Sequence, residues 1–374
     1  MRVKGNAQDG RPQVFGEPAS CAFEAVNAGA STNGAHTTEG LMRTVIGLDL
    51  GRSALKMAAS WVGEAGVQRT RLSFPTAVAP ARRLVGAEEV GAAQSDTVLV
   101  DGQAYFIGRT AALQGGDRML SGFSDDWLFT PAHAALLKGA LDKAAAAGVP
   151  GVQTAEIVVG LAGRSFVPRY DAYQTALRTH LPKASPTVYP QPLGPFFQML
   201  FDEAGSEKRP DLLEQKWVVV EIGQFTTDFA LLVDGTAIEE KYSSANGMRR
   251  VAEQLSRELA GSRGLGNLSM PELTETLQTG TIEIKGNRVS VTDELQRAAM
   301  PLAQEIVEAA GVVMGDYIRR ATGILVAGGG APLLFPQLAR EWDHAVLSED
   351  PRFAVAEGFL RAGLNYVSAE EATA

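Results

Sequence analysis

The chain has 374 residues, 45% of them hydrophobic, which is enough for the cores of two domains. Its net charge of −9 argues against a broad basic surface, so we predict no direct contact with nucleic acid and no binding to membranes. The single cysteine, Cys21, excludes a disulfide framework and is typical of a cytoplasmic protein. The sequence contains no uncharged apolar run of about 18 residues, so we predict no membrane-spanning helix.

Residues 1–41 are rich in Gly, Ala, Ser and Asn and have no hydrophobic periodicity, so we expect a disordered leader. A misassigned upstream start codon or a natural flexible tail explains this leader better than a functional arm does, and both explanations remain open. We predict a first domain over 42–200 and a second over 201–352. We expect 353–374 to form a helix that returns to the first domain, followed by a tail.

The first half begins with two short apolar runs, Val45–Leu48 and Leu55–Trp61, whose spacing predicts a β-hairpin. A second hairpin is indicated around Asp101–Gly102. Further along we predict a helix at 132–147, a strand at 157–159 and an amphipathic helix at 167–181.

The second half opens by repeating this plan. VIGLDLGRSALKMAA at 45–59 and VVVEIGQFTTDFALL at 218–232 each place an apolar strand, an acid, a glycine turn and a second apolar strand in the same order. The acids are Asp49 and Glu221. A repeat of this length predicts two similar domains that face each other, although so short a pattern also arises by chance.

The rest of the second half alternates helices with strands. We predict a helix at 249–259, a hairpin at 282–291, largely helical structure at 293–320, a strand at 323–327, and helices from 332 and at 353–363.

Both repeated turns have the composition of phosphate-binding loops, because small residues allow backbone N–H groups to converge on an anion. Gly51, Arg52 and Ser53 form the first turn. The second turn is formed by Gly223, Gln224, Phe225, Thr226 and Thr227. We predict that the two turns contact phosphates from opposite sides; ordinary β-turns are the alternative for each.

Charged side chains accompany these turns. Asp49 and Glu221 end the strands before them, where carboxylates can hold a hydrated Mg²⁺ that bridges to phosphate oxygens. Lys56 is a candidate point charge for the phosphates.

A third glycine-rich segment, Gly328–Gly329–Gly330, lies between a predicted strand and a helix, where a nucleotide can approach the backbone closely. A tight turn between strand and helix is the alternative. The spacing of a dinucleotide-binding loop is absent because residue 333 is Leu, and the sequence contains no P-loop motif.

In this order, LDLGRSALK, EIGQFTTDF and LVAGGGAPLL resemble the two phosphate loops and the adenosine loop of the actin-like ATPase superfamily. IGLDLGRSALK, GQFTTD and the terminal PRFAVAEGFLRAG resemble the ParM/StbA plasmid-segregation actins and their archaeal relatives. The resemblance extends over roughly 42–363. It implies an α/β fold, two-lobed and actin-like (a duplicated ribonuclease H-like ATPase fold), with a nucleotide cleft between the lobes.

The resemblance also implies roles for single residues. Gln191, in YPQPLG, matches the residue that orients the attacking water, so Gln191 and Glu221 are the candidate catalytic residues. Gly247 matches the start of the helix beneath the nucleotide. Glu221 stands where the family usually has Asp, which puts the metal geometry and the hydrolysis rate in doubt.

The function implied is an actin-like protein that binds ATP or GTP with Mg²⁺, hydrolyses it and polymerises into filaments of itself. In the plasmid-segregation group, a DNA-binding adaptor protein couples such filaments to DNA. Two alternatives remain. One is a small-molecule kinase on the same fold, for which the sequence has no clear motif for a catalytic base and Asp228 is left open. The other is a non-polymerising scaffold.

Overall fold

The computed structural model describes residues 43–120 and 125–373, and the predicted leader lies outside them. The strands of the first half are β1 (Val45–Leu50), β2 (Ala54–Gly63), β3 (Gly66–Pro75), β4 (Val78–Pro80), β5 (Thr97–Val100), β6 (Gln103–Ile107), β7 (Glu156–Leu161) and β8 (Ser185–Pro190). Its helices are α1 (Ala87–Gln94), α2 (Gly108–Gln114), α3 (Pro131–Ala146), α4 (Gly163–His180) and α5 (Leu193–Leu200).

Most of these strands form a first sheet in the spatial order β3–β2–β1–β7–β8. β1 is central: it pairs antiparallel with β2, as the hairpin prediction requires, and parallel with β7. The hairpin of β5 and β6 joins β4 in a small separate sheet. β1 is buried along its whole length, because its side chains are covered on both faces of the sheet.

The second half has the strands β9 (Lys216–Ile222), β10 (Thr226–Val233), β11 (Thr236–Ala237), β12 (Ser243–Asn246), β13 (Thr281–Ile284), β14 (Asn287–Ser290), β15 (Gly323–Ala327) and β16 (Ala345–Leu347). Its helices are α6 (Arg249–Arg263), α7 (Met270–Thr279), α8 (Thr292–Met314), α9 (Tyr317–Arg320), α10 (Ala331–Glu341) and α11 (Ala354–Thr373).

The second sheet has the plan of the first. β9 pairs antiparallel with β10 and parallel with β15, as β1 does with β2 and β7. The register is also equivalent: Asp49 lies opposite Lys56, and Glu221 lies opposite Asp228. The predicted internal repeat is therefore present in the pairing of the strands.

The two sheets share a core formed largely by two helices. α5 and α11 pack on each other and bring Phe196 and Phe359 against strands of both sheets, including Val158 of β7 and Val219 of β9. α11 also packs on β1. It is longer than the predicted 353–363 and continues to Thr373, because its second half buries Val367 against the first sheet. The predicted domain boundaries at 200 and 352 stay a prediction.

Candidate functional site

The turn between β1 and β2 is held by hydrogen bonds around Asp49. The Nζ atom of Lys56 donates to Asp49 Oδ2 at 2.7 Å, and both side chains are largely buried. The carbonyl of Gly51 accepts a hydrogen bond from the Thr76 hydroxyl. A Cβ atom on Gly51 would lie 2.8 Å from the backbone oxygen of Ala54, so the turn requires glycine there.

The turn between β9 and β10 is closed by a hydrogen bond from the Gly223 N–H to the Thr226 carbonyl at 2.8 Å. Burial raises the pKa of Glu221 to about 8, and the negative charges of Asp49 and Asp228 add to the shift, while the charge of Lys56 opposes it. The two turns are therefore close enough for their carboxylates to interact electrostatically.

The glycine-rich loop after β15 rests directly on the second turn. Gly328 has a φ of +90°, and a Cβ atom there would lie 2.5 Å from Glu221 Oε1. The N–H of Gly330 donates to the carbonyl of Ile222 at 3.0 Å. A Cβ atom on Gly329 would meet no atom within 4 Å, so this residue faces open space.

These three loops border one cleft of about 390 Å³ between the two sheets. The first sheet contributes residues 49–54 and Lys56, and the second contributes Glu221, residues 223–226 and Asp228. The predicted site residues that line this cleft are Asp49, Gly51, Arg52, Ser53, Lys56, Gln191, Glu221, Gly223, Gln224, Thr226, Gly329 and Gly330.

Gln191 reaches this cleft from the turn between β8 and α5. Its Nε2 atom donates to Asp49 Oδ1 at 2.9 Å, which fixes the amide beside the first turn. A Cβ atom on Gly160 would lie 2.4 Å from Gln191 Cγ, so the neighbouring strand leaves room for this side chain only because it has glycine there.

Three of the predicted ligand contacts do not line the cleft. The hydroxyl of Thr227 points away and donates to the carbonyl of Asn246 at 2.8 Å, because successive residues of a strand face opposite sides. Gly247 packs behind the second turn, where a Cβ atom would lie 2.6 Å from the carbonyl oxygen of Gly223. Gly328 lies over Glu221. All three shape the loops.

Part of the cleft wall was missed by the sequence predictions. Trp127 and Leu128 line the cleft from a short 3₁₀ helix, Asp125–Phe129, and residues 160–162, Arg164 and Ser165 line it at the junction of β7 and α4. The Trp127 ring is fixed by an edge contact with the buried His133, whose centroid is 4.8 Å away. The junction of β7 and α4 did have a signal in the sequence, because in GLAGRS a strand is followed at once by a helix.

Comparisons with protein families match both halves of the chain. Residues 47–194 match the model "Actin like proteins N terminal domain", and residues 219–340 match "Archaeal actin homologue MreB-like, C-terminal". The chain belongs to the actin-like ATPase superfamily. The predicted resemblance is thereby confirmed, whereas no match is found among curated proteins.

Solved structures of this superfamily share the fold. Ta0583, an archaeal actin homologue, matches with a TM-score of 0.63 and 19% identity, covering 85% of this chain and 98% of that one. A 15-stranded ParM filament from Clostridium botulinum matches with a TM-score of 0.62 and 20% identity, covering 86% of this chain and 99% of its own. ParM of Bacillus thuringiensis with AMPPNP matches with a TM-score of 0.59 and 15% identity, over 86% and 98%. The predicted two-lobed actin-like fold is confirmed.

Among the helices of residues 43–120 and 125–373, none combines the length and apolarity needed to cross a membrane.

Proposed function

We propose that this actin-like protein binds ATP or GTP with Mg²⁺ in the cleft, hydrolyses it and polymerises into filaments. The observation that carries the proposal is the convergence of the two hairpin turns and the glycine-rich loop on one cleft between the sheets. Small residues in all three loops let a phosphate chain approach the backbone. The family membership and the ADP complex of Ta0583, which is 21% identical, support a nucleotide as the ligand.

The charges of the cleft fit a divalent cation. Within the described residues no group of three or more His, Cys, Asp or Glu side chains could hold a metal, but Mg²⁺ keeps most of its waters and needs only one or two carboxylates. Burial is the largest cause of the raised pKa of Glu221, and the negative charges of Asp49 and Asp228 add to it, while Lys56 opposes it. We therefore assign Asp49 and Glu221 to Mg²⁺, which when bound would offset charge on the phosphate oxygens.

Gln191 is the residue that we assign to the attacking water. Its Nε2 atom is committed to Asp49, which leaves the amide oxygen to accept a hydrogen bond from water. A glutamine is not a base, so its contribution is positioning, as expected when phosphoryl transfer relies on orientation and charge stabilisation.

The kinase alternative is disfavoured by the surroundings of Asp228. Ser244 donates to its Oδ1 atom, and Thr226 donates to Oδ2 at 3.2 Å. Each carboxyl oxygen thus already accepts a hydrogen bond within the second sheet, and these bonds favour the ionised form, which weakens Asp228 as a base.

For the cellular role, we propose that filaments of this chain segregate DNA in the cytoplasm through a separate DNA-binding adaptor protein. The net charge of −9 supports an indirect link, because phosphate contacts require clustered Lys and Arg.

Sedimentation and phosphate release, measured together, test the proposal. We expect polymer in the pellet with ATP–Mg²⁺ or GTP–Mg²⁺ and little polymer with ADP or without nucleotide. Asp49→Ala and Glu221→Ala each remove a metal-binding carboxylate and should abolish Mg²⁺-dependent hydrolysis. Asp171→Ala, an exposed acid on α4, is the control and should hydrolyse normally. Absence of polymer under all conditions, together with phosphate transfer to a metabolite, would establish the kinase alternative instead.

A further inference from the structure

Two arginines of β3, the edge strand of the first sheet, contact the start of α11. Arg69 and Arg71 are two residues apart, so their side chains lie on the same face of the strand. Both donate to Glu357, which is only 2% exposed: Arg69 Nη2 donates to Oε2 at 2.8 Å, and Arg71 Nε donates to Oε1. These bonds fix α11 against the edge of the first sheet.

Arg71 differs from Arg69 in its second partner. Its Nη1 atom donates to Asp350 Oδ2 at 2.6 Å, and its guanidinium lies over the Phe353 ring, 5.3 Å from the centroid. The second partner of Arg69 is Glu203, at 3.1 Å. Asp350 belongs to the segment that leaves β16 of the second sheet and enters α11. Arg71 therefore joins a strand of the first half to the end of the second half.

Asp350 has a backbone conformation that needs support from its surroundings. Its φ of +42° lies in the left-handed region, which residues other than glycine rarely adopt. Asp and Asn tolerate this region better than most residues, but the conformation still costs free energy and persists only where its neighbours hold it. The ion pair with Arg71 holds it here, together with the hydrogen bond from the Phe353 N–H to the Asp350 carbonyl at 3.0 Å.

The residues after Asp350 belong to the wall of the nucleotide cleft. The carbonyl of Pro351 accepts the N–H of Gly328 at 2.9 Å, which ties this segment to the glycine-rich loop. Arg352 lines the cleft itself. Because Asp350 is adjacent to Pro351 and two residues from Arg352, a shift of its backbone moves both contacts.

We propose that Arg71 is a positioning residue for nucleotide binding, which acts through Asp350 to hold the glycine-rich loop and Arg352 in place. The inference rests on the proposed function, since this loop is one of the three that we assign to the nucleotide. Arg71 is not among the described residues that line the cleft. A guanidinium suits this role because its fork donates to Glu357 and Asp350 at once.

Four variants separate this role from a general effect on stability. Arg71→Ala removes both bonds, and Asp350→Asn removes the ion pair but keeps a residue that tolerates the left-handed backbone. Arg71→Lys keeps the charge but has one nitrogen for two acids. Arg69→Ala is the matched control, because it also removes a bond to Glu357 and leaves Asp350 untouched.

The first measurement is equilibrium affinity for ADP and for AMPPNP. We expect Arg71→Ala and Asp350→Asn each to weaken binding about fivefold, a modest loss because the two side chains are 43% and 42% exposed. Arg71→Lys should lie between Arg71→Ala and the wild type, and Arg69→Ala should stay within about twofold of the wild type. The double variant of Arg71→Ala and Asp350→Asn should bind as Arg71→Ala does, because both changes remove one interaction.

The second measurement is single-turnover hydrolysis of bound ATP. Its rate constant should stay within about twofold of the wild type in Arg71→Ala, because Gln191 and Asp49 are bonded to each other within the first half. A loss of affinity with a nearly normal rate constant is the expected result for a residue that positions a binding loop. If Arg71→Ala does not fold, Asp350→Asn compared with Arg69→Ala gives the same test.

The possible results have distinct meanings. Unchanged affinity in Arg71→Ala and Asp350→Asn, in a protein whose wild type binds nucleotide, overturns this inference alone. An equal loss in Arg69→Ala means that the effect passes through Glu357 and the packing of α11, and additive losses in the double variant mean that Arg71 does not act through Asp350; either result overturns the inference. Failure of the wild-type protein to bind any nucleotide overturns the proposed function itself.

Discussion

At the scale of single residues, Asp49 organises the first half of the site. Its Oδ2 atom accepts from Lys56 and its Oδ1 atom accepts from Gln191, so the carboxylate that we assign to Mg²⁺, the lysine and the amide that we assign to water form one connected group. Because Gln191 is 142 residues away in sequence, this contact joins the end of β8 to the end of β1. On the proposed function, this contact would position the Gln191 amide before a nucleotide binds.

Gln191→Ala tests this arrangement. Removing the amide deprives the attacking water of its acceptor, so we expect the hydrolysis rate to fall on the order of 100-fold. Nucleotide affinity should stay within about twofold, because the loops that contact the phosphates are unchanged. Single-turnover hydrolysis and equilibrium binding separate the two effects. Weakened binding with a normal rate constant would refute the assigned role.

The sequence predicted the composition of the site better than the direction of its side chains. Thr226 and Thr227 were both assigned to the phosphates, but alternation along β10 directs Thr226 to the cleft and Thr227 to the carbonyl of Asn246. That alternation is readable from a strand prediction. The wall formed by Trp127 was not predictable in this way, because it depends on how distant elements pack.

At the scale of elements, the crossing of α5 and α11 joins the two halves at close range. A Cβ atom on Gly358 would lie 1.7 Å from the carbonyl oxygen of Gly194, and a Cβ on Gly194 would lie 2.7 Å from Val355 Cα. These are backbone atoms, so no side-chain rotation can relieve the overlap. The contact requires glycine in both helices.

We therefore expect Gly358→Ala to lower the free energy of unfolding by about 2–3 kcal/mol, since the helices must separate. Gly311→Ala, in the interior of α8, is the matched control: its Cβ would meet no atom within 4 Å, so the change should be neutral or stabilise by up to about 1 kcal/mol. Urea unfolding of both variants gives the comparison. Equal stabilities would show that the crossing tolerates a methyl group.

Elements with a strong local pattern were predicted well, and elements defined by packing were not. β1 and β2 were recognised from their apolar runs, and α3 from its Ala- and Leu-rich sequence. β3 was missed, because its exposed and half-buried residues lack a clear alternation and its pairing comes from β2. The length of α11 depends on contacts with β1, which no local pattern contains.

At the scale of the whole molecule, the duplicated sheet plan explains why one cleft receives a loop from each half. Equivalent hairpins place Asp49 and Glu221 at equivalent positions, and the shared core of α5 and α11 holds the two sheets together. The two hairpins differ in charge at equivalent positions: Lys56 lies opposite Asp49, but Asp228 lies opposite Glu221. The repeat was visible in the sequence, whereas this charge difference acquires meaning only from the register.

The central claim is that a single nucleotide contacts both turns at once. A structure of the protein with AMPPNP and Mg²⁺ tests it most directly. We predict phosphates between residues 51–53 and 223–226, with the metal beside Asp49 and Glu221. A nucleotide bound outside this cleft, or in contact with only one of the two turns, would contradict the account.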